Sequence, residues 1–353
     1  MTTDRRSPRP RLTDVAAVAG VSMKTVSNVV NSYAPVAEAT RTKVLAAVEQ
    51  VGYRPNLSAR NLARGRAGVI VLGVPRLDLP YFASLAGSVV EAAAGHGWFV
   101  LMHQTGGDLA GERRALLGDH PQRIDGMILS SQWLDAQEIA ARPDPSPLVV
   151  LGDHRLPGPV PRIGIDNRAA GRAVAEHLIA AGGRRIALIG APSREVDHGR
   201  AQGLIDGLRA AGLPVLPELM RPITANTGDA GEAATAAMLA EVDELPDALF
   251  AVTDWVAMGA IRALHAHGLE VPADVAVMGF DDIPYARSVS PSLSTIAPDR
   301  PAVARLAVEA LEAQVTGMAY ASAATDDRDA GGSDGDHFAP FELVARESTR
   351  REA

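Results

Sequence analysis

The chain has 353 residues, 47% hydrophobic and 22% charged, with nine His and no Cys. Disulfides, cysteine-held zinc and thiol nucleophiles are therefore excluded, and no apolar run approaches the roughly 20 residues that span a bilayer. The net charge of −8 hides an asymmetry: residues 1–66 hold eleven Lys/Arg against four acids, net +7, and the remainder nets −15. A basic head on an acidic body implies one module for a polyanion and another that avoids it. Residues 1–10 read as a disordered basic tail. No apolar run follows them, so a secretory leader is not expected and a cytoplasmic protein is.

Leu12 to Ala19 reads as a short helix with Val15, Ala16 and Ala19 turned inward. Gly20 supplies a turn and Val21 packs beneath it. Ser22 is placed to cap a second helix, Met23 to Asn31, by accepting from a free backbone N–H. Val26, Val29 and Val30 form its inner stripe; Met23, Lys24, Thr25, Ser27 and Asn28 face out. A third helix, Glu38 to Val51, has Val44, Leu45, Val48 and Val51 at helical spacing and stops at Gly52. Two short helices joined through Ala-Gly-Val make a helix-turn-helix pattern, although a generic three-helix bundle would share the periodicity. The predicted head covers residues 11–56.

Residues 57–66 follow as a linker. Leu57 to Arg64 reads as a two-turn helix, entered by Pro55, capped by Asn56 and ended by Gly65. Alone in water a helix this short is marginal. The residues by themselves also allow Leu57 and Leu62 to pack on the head.

From residue 68 to 349, apolar strand-like runs alternate with amphipathic helices. The runs are Val69–Val74, Trp98–Met102, Gly126–Leu129, Leu148–Leu151, Arg185–Ile189, Ala248–Val252, Val275–Gly279 and Phe341–Val344. Such alternation predicts parallel sheets with helices on both faces. Ligands of open parallel sheets bind beyond the strand C-termini, which directs attention to the loops there. Residues 320–337, small, polar and acidic, read as a flexible insertion. No metal-spaced cluster, GxSxG, Walker or GxGxxG motif is present. Asp281 and Asp282 are adjacent, and on an extended segment neighbours point apart, so paired acid–base catalysis is not expected. No catalytic residue, metal or cofactor is assigned.

The runs LTDVAAVAGVSMKTVSNVVN and TRTKVLAAVEQVGYRPNLSARNLARG resemble the head and hinge of the LacI/GalR family of bacterial transcription regulators, and the resemblance continues through the body. It implies a small all-α helix-turn-helix head and an α/β two-lobed periplasmic-binding-protein-like body with parallel doubly wound sheets. The lobes are expected at 68–164 with 297–318, and at 165–296 with 338–349. By resemblance Met23, Lys24 and Asn28 read base edges; Ser22, Thr25, Ser27, Asn31 and Thr40 contact phosphates. Many members have Arg where this chain has Asn28, and Ala37 replaces a capping Ser. Leu62 is the side chain levered between base pairs in the minor groove, with Ala59 and Ala63 allowing close approach.

In the body the resemblance makes Arg200 and Asp281 the leading effector contacts, with a salt bridge across the cleft as the structural alternative. Tyr81, Phe82, Asp153, Arg194, Asn226 and Thr253 are secondary candidates. Asn226 falls near a position where sugar-binding members often carry a stacking aromatic, and Thr253 replaces a frequent Asn. The implied partners are a near-palindromic double-stranded operator, a small effector such as a sugar, and a second copy of the chain; no membrane is implied. The implied function is an effector-controlled repressor acting at the nucleoid. A solute-binding protein for transport, or a purine- or nucleoside-responsive member of the same family, are the alternatives.

Overall fold

The structure is a computed structural model and describes residues 10–31, 35–54, 65–118, 122–152, 160–191, 199–318, 320 and 336–350. The chain divides into two compact units, Met1–Gly68 and Val69–Ala353.

The first unit contains α1 (Leu12–Ala19), α2 (Met23–Asn31) and α3 (Glu38–Val51). Their core is Val15, Ala19, Val26, Val29, Val44 and Ala47, with Ala16, Val21, Val30 and Val48 packed around it. Gly20 takes the left-handed conformation that ends α1, at φ 60°, a region costly for a residue with a Cβ. Ser22 Oγ accepts from Thr25 N at 3.1 Å and so caps α2. One expectation fails: Leu45 is 51% exposed. The buried row of α3 runs through Val44, Ala47 and Val48, the i, i+3, i+4 face of a helix, and Leu45 lies a quarter-turn off it. α3 begins after Ala37 without a side-chain cap, and Glu38 occupies its first turn, where a negative charge complements the helix dipole.

The second unit opens with β1 (Val69–Val74), α4 (Pro80–Gly95), β2 (Phe99–Gln104), α5 (Leu109–Leu116), β3 (Gly126–Ser130), α6 (Ala136–Ala140), β4 (Leu148–Leu151) and β5 (Arg162–Gly164). It continues with α7 (Asn167–Ala180), β6 (Ile186–Ala191), α8 (Gly199–Ala210), β7 (Met220–Pro222), α9 (Gly228–Glu241), β8 (Ala248–Ala251), α10 (Asp254–Ala266) and β9 (Ala276–Met278). Last come β10 (Thr295–Pro298), α11 (Arg300–Thr316), β11 (Asp336–Phe338) and β12 (Phe341–Val344).

These strands form two parallel sheets and one antiparallel pair. The first sheet has the order β11-β5-β4-β3-β1-β2 and the second β7-β6-β8-β9. The strand order reverses between β1 and β3 in the first sheet and between β6 and β8 in the second. Those are the crevices where open α/β sheets bind ligands. β10 and β12 pair antiparallel outside both sheets. β10 leads from the second lobe to α11, which belongs to the first: Gln314 donates to Leu148 O at 2.9 Å, and Glu312 pairs with His96 of α4. β12 leads back to a turn whose Ser348 donates to Val277 O of β9 at 2.6 Å.

The end of the chain departs from the expectation. β11 overlaps the last residues of the expected insertion and pairs with β5 of the first sheet, Phe338 opposite Gly164. Phe338, assigned from sequence to the second lobe, thus sits in the first. The Arg162 guanidinium lies 5.2 Å from its ring centre, and Ala339 beside it is buried, which fixes the strand on that edge.

In the second lobe, close helix packing sets the position of α8. A Cβ on Gly171 would lie 2.2 Å from Arg200 O, and one on Gly203 would lie 2.1 Å from Arg168 O. Real side chains cannot approach a carbonyl this closely, so both positions require glycine, and the first turn of α8 is clamped against α7.

Candidate functional site

The outer face of α2 carries the residues expected to read DNA. Met23 is 53% exposed, Lys24 is exposed and Asn28 is half-buried. The expected phosphate-contacting residues are linked in pairs. Ser22 Oγ and Thr25 Oγ1 lie 2.8 Å apart. Asn31 Nδ2 donates to Ser27 O at 2.8 Å and to Ser27 Oγ at 3.2 Å. Each bond fixes a rotamer before any ligand arrives. Thr40, near the start of α3, is half-buried. Ala59, Leu62 and Ala63 lie outside the described residues.

The second candidate site stands where the order of the second sheet reverses. Arg200 is in the first turn of α8. Its Nε donates to Asn167 Oδ1 at 2.9 Å and its Nη1 to Val252 O at 2.7 Å. The guanidinium carbon lies over the Phe280 ring, 3.6 Å from its centre. With two bonds and a stacking face, the side chain is held in one place, and its planar fork remains directed by them.

Asp281 follows β9 and is 5% exposed. Its Oδ1 lies 3.4 Å from Arg200 Nη1 but has no hydrogen-bond partner. Burial pushes the carboxyl up to about 6, against the pull of the Arg200 and Arg300 charges. Both members of this pair belong to the second lobe, so it does not bridge the cleft. A buried carboxylate oxygen without a well-aligned donor costs stability even beside a cation, and the arrangement suits a partner that donates hydrogen bonds.

The Asp281 backbone is unusual. Asp281 has φ 110° and Asp282 φ 46°, a left-handed pair of non-glycine residues where an extended segment was expected. The side chains nonetheless diverge. Asp282 Oδ1 accepts from Arg346 Nη2 at 2.6 Å, and its Oδ2 lies 3.4 Å from Arg287. Strained backbone of this kind persists only where its surroundings over-determine it.

Asp254 lies directly behind. It is fully buried and its carboxylate accepts from Thr295 Oγ1 at 2.6 Å and Ile283 N at 2.8 Å. Burial, and then the neighbouring Asp281, raise its pKa well above the usual carboxylate range. It supports the loop on which Asp281 stands.

The remaining expectations divide. Tyr81 and Phe82 contact edge-to-face with ring centres 5.2 Å apart, and Tyr81 packs against two core clusters, one that holds residues of both lobes and one of the second lobe. Thr253 Oγ1 accepts from Val256 N at 3.2 Å, so it caps α10. Asn226 is exposed in the loop before α9. Asp153 and Arg194 lie outside the described residues. The sequence reading missed Asn167 and Arg300; it places Asp254 and Phe280 in the loops beyond the strand ends but gives them no role. It also missed Glu112, a fully buried residue at the corresponding edge of the first sheet. Among the described residues no group of three His, Cys, Asp or Glu could hold a metal, and no helix is long and apolar enough to cross a membrane.

A helix-turn-helix unit followed by a two-lobed α/β unit defines a class: regulators that join a DNA-reading head to a ligand-sensing body. The comparisons agree with it. The family model for bacterial regulatory proteins of the lacI family matches residues 11–56, and that for a periplasmic binding protein-like domain matches residues 175–349. The HTH-type transcriptional repressor CytR of Escherichia coli K12 is 30% identical over 342 residues, 96% of this chain and 95% of that protein. The lac repressor dimer bound to operator and the anti-inducer ONPF superposes with a TM-score of 0.77 at 29% identity, covering 97% of this chain and 99% of that one. A CelR–cellobiose complex superposes with a TM-score of 0.68 at 29% identity, covering 96% and all of that chain. The chain belongs to the LacI family of bacterial regulators and is a DNA-binding transcriptional regulator.

Proposed function

We propose that the chain is a homodimeric repressor whose grip on a near-palindromic operator is set by a small polar effector bound between the lobes. The observation that carries the effector part is the Asp281 carboxylate: buried, its Oδ1 lacking a well-aligned hydrogen bond, and beside a fixed Arg200. A carboxylate accepting from hydroxyls next to a guanidinium donating to ring or hydroxyl oxygens suits a carbohydrate edge. The cellobiose held by a relative of the same fold supports a sugar. Tyr81, Phe82, Asp153, Arg194, Asn226 and Thr253 are the further candidates for its surround.

On the head, Met23, Lys24 and Asn28 read base edges, Lys24 donating to guanine and Asn28 pairing with adenine. Ser22, Thr25, Ser27, Asn31 and Thr40 hold phosphates and set register. Leu62 is the minor-groove wedge of a hinge helix, with Ala59 and Ala63 at the contact between two hinges. A two-fold dimer presents two such heads to the two half-sites. Effector binding changes operator affinity only as far as the effector prefers one lobe arrangement over the other. The protein works in the cytoplasm, at the nucleoid, and leaves its effector chemically unchanged. Calorimetry of the full chain with a panel of sugars and nucleobases tests the effector class: heat with a carbohydrate is expected, and a purine as sole binder would overturn it. Leu62→Ala is expected to keep the fold and the dimer and to weaken operator binding about tenfold or more; an unchanged affinity would remove the wedge.

A further inference from the structure

The loop that carries Asp281 is held mostly by residues from outside the second sheet. Asp281 N donates to Ile296 O at 2.8 Å, and Asp282 N donates to Thr295 Oγ1 at 3.3 Å. Both acceptors lie on β10, which crosses between the lobes. Arg346, which follows the other crossing strand β12, holds the Asp282 carboxylate at 2.6 Å and Leu293 O at 2.7 Å. A further clamp comes from the first lobe. Arg300 is the first residue of α11, and its Nη1 donates both to Asp281 O and to Asp282 O at 3.3 Å.

α11 itself is fastened to the first lobe along its length. Gln314 brackets the Leu148 backbone of β4, donating at 2.9 Å and accepting at 3.3 Å. Glu312 pairs with His96 of α4. The residues Val303, Ala304, Leu306, Ala307, Val308, Ala310 and Leu311 are all buried. Asp299 caps the helix by accepting from Ala302 N at 2.9 Å. Arg300 therefore projects from a rigid element of one lobe onto two carbonyls of the other. Those carbonyls belong to the two residues with positive φ, the part of the loop least able to hold its shape unaided.

We propose that Arg300 is a positioning residue that couples the lobes through the effector loop. It fixes the Asp281 carboxylate relative to α11, so a change in lobe orientation and a change in the place of that carboxylate occur together. The coupling is reciprocal: a ligand that moves Asp281 biases the lobes, and the lobes set the affinity of Asp281 for the ligand. The proposal rests on the reading of Asp281 as an effector contact for its biological meaning, but its mechanical content does not require a ligand.

The test uses the full-length protein without effector. The chain has no cysteine, so Arg114→Cys on α5 and Asp229→Cys on α9, both exposed, accept a spin-label pair spanning the two lobes. In the Arg300→Gln background the interlobe distance distribution is expected to broaden, and the amides of Asp282 and Ile283 to exchange about tenfold faster. Arg300→Lys, which keeps the charge but not the planar fork, is expected to fall between the two, and it carries the test if Arg300→Gln does not fold. An unchanged distance distribution overturns the coupling, including when exchange quickens, because Arg300 would then brace the loop only locally. Failure of every sugar to bind the wild-type protein would instead remove the carbohydrate reading and leave the distance result standing.

Discussion

Two buried carboxylates stand at the edges of the two sheets, and they are handled in opposite ways. Glu112 in the first lobe accepts from Ser131 Oγ and Gln132 N at 2.8 Å, Trp133 N at 3.1 Å and Leu134 N at 3.2 Å. Its two oxygens are shared among four donors, and it closes the loop after β3. Asp281 in the second lobe is almost as buried, yet its Oδ1 has no donor. A fold that can satisfy one carboxylate so fully has left an oxygen of the other open, beside the Arg200 that stands where the strand order reverses. Under the proposed function, the difference separates a group that serves the fold from one that receives the effector.

The comparison can be broken in order of expected effect. Glu112→Ala strands two buried donors, Ser131 Oγ and Leu134 N, each costing roughly 1–3 kcal/mol, so a loss on the order of 3 kcal/mol is expected. Thermal and denaturant unfolding measure it; a loss under about 1 kcal/mol would show that Glu112 is not what closes the loop.

Asp281→Asn should act in the other direction at neutral pH. The folded carboxyl is raised from 3.8 to about 6, so the folded state holds its proton more tightly than the unfolded chain. Wild-type stability therefore falls as pH rises from about 4 to 6, and the deficit is full above it. The neutral amide avoids that deficit, which at ~1.4 kcal/mol per unit amounts to no more than about 3 kcal/mol. Unfolding at pH 7.5 should show a gain that vanishes near pH 4, together with loss of the effector response. A variant less stable than wild type at both pH values would contradict the assignment.

Gly171→Ala sharpens the comparison by disturbing Arg200 while leaving Asp281 untouched. The added Cβ meets Arg200 O and must part α7 from α8, an overpacking cost of about 1–3 kcal/mol. Effector affinity should fall with stability; an effect on stability alone would mean that the first turn of α8 does not set the site. Ser131→Ala is the mildest change. It removes one of the four donors to Glu112, and a loss of about 1 kcal/mol is expected with effector binding intact. A lost response would mean that the first-lobe loop contacts the effector directly.

Much of this was legible before any coordinates, and the illegible parts share a cause. The alternation of apolar runs gave the two parallel sheets because buried strands announce themselves by composition. Ser22 was readable as a cap because its partner is three residues away. Arg200 and Asp281 came from the family resemblance. Glu112 was hidden: a charged residue on an amphipathic helix reads as solvent-facing, and only the fold-back of residues 131–134 buries it. Arg300 was hidden for the same reason, its acceptors lying 18 and 19 residues away in sequence. Leu45 misled in the opposite sense, since an apolar residue on a short helix reads as core until the packing shows which face is covered. β11 has three residues, too few for a period, and its place depends on the free edge of β5.

Under the proposed function, a buried acceptor in the second lobe controls a DNA-reading head. That control is tested most directly by fluorescence anisotropy on a near-palindromic duplex selected by the wild-type protein from random DNA, titrated with and without each sugar of the panel. At least one sugar is expected to shift wild-type operator affinity by about fivefold or more, and Asp281→Asn to bind the same duplex but ignore the sugar. An equal shift in both proteins, or no selected duplex at all, would contradict that control.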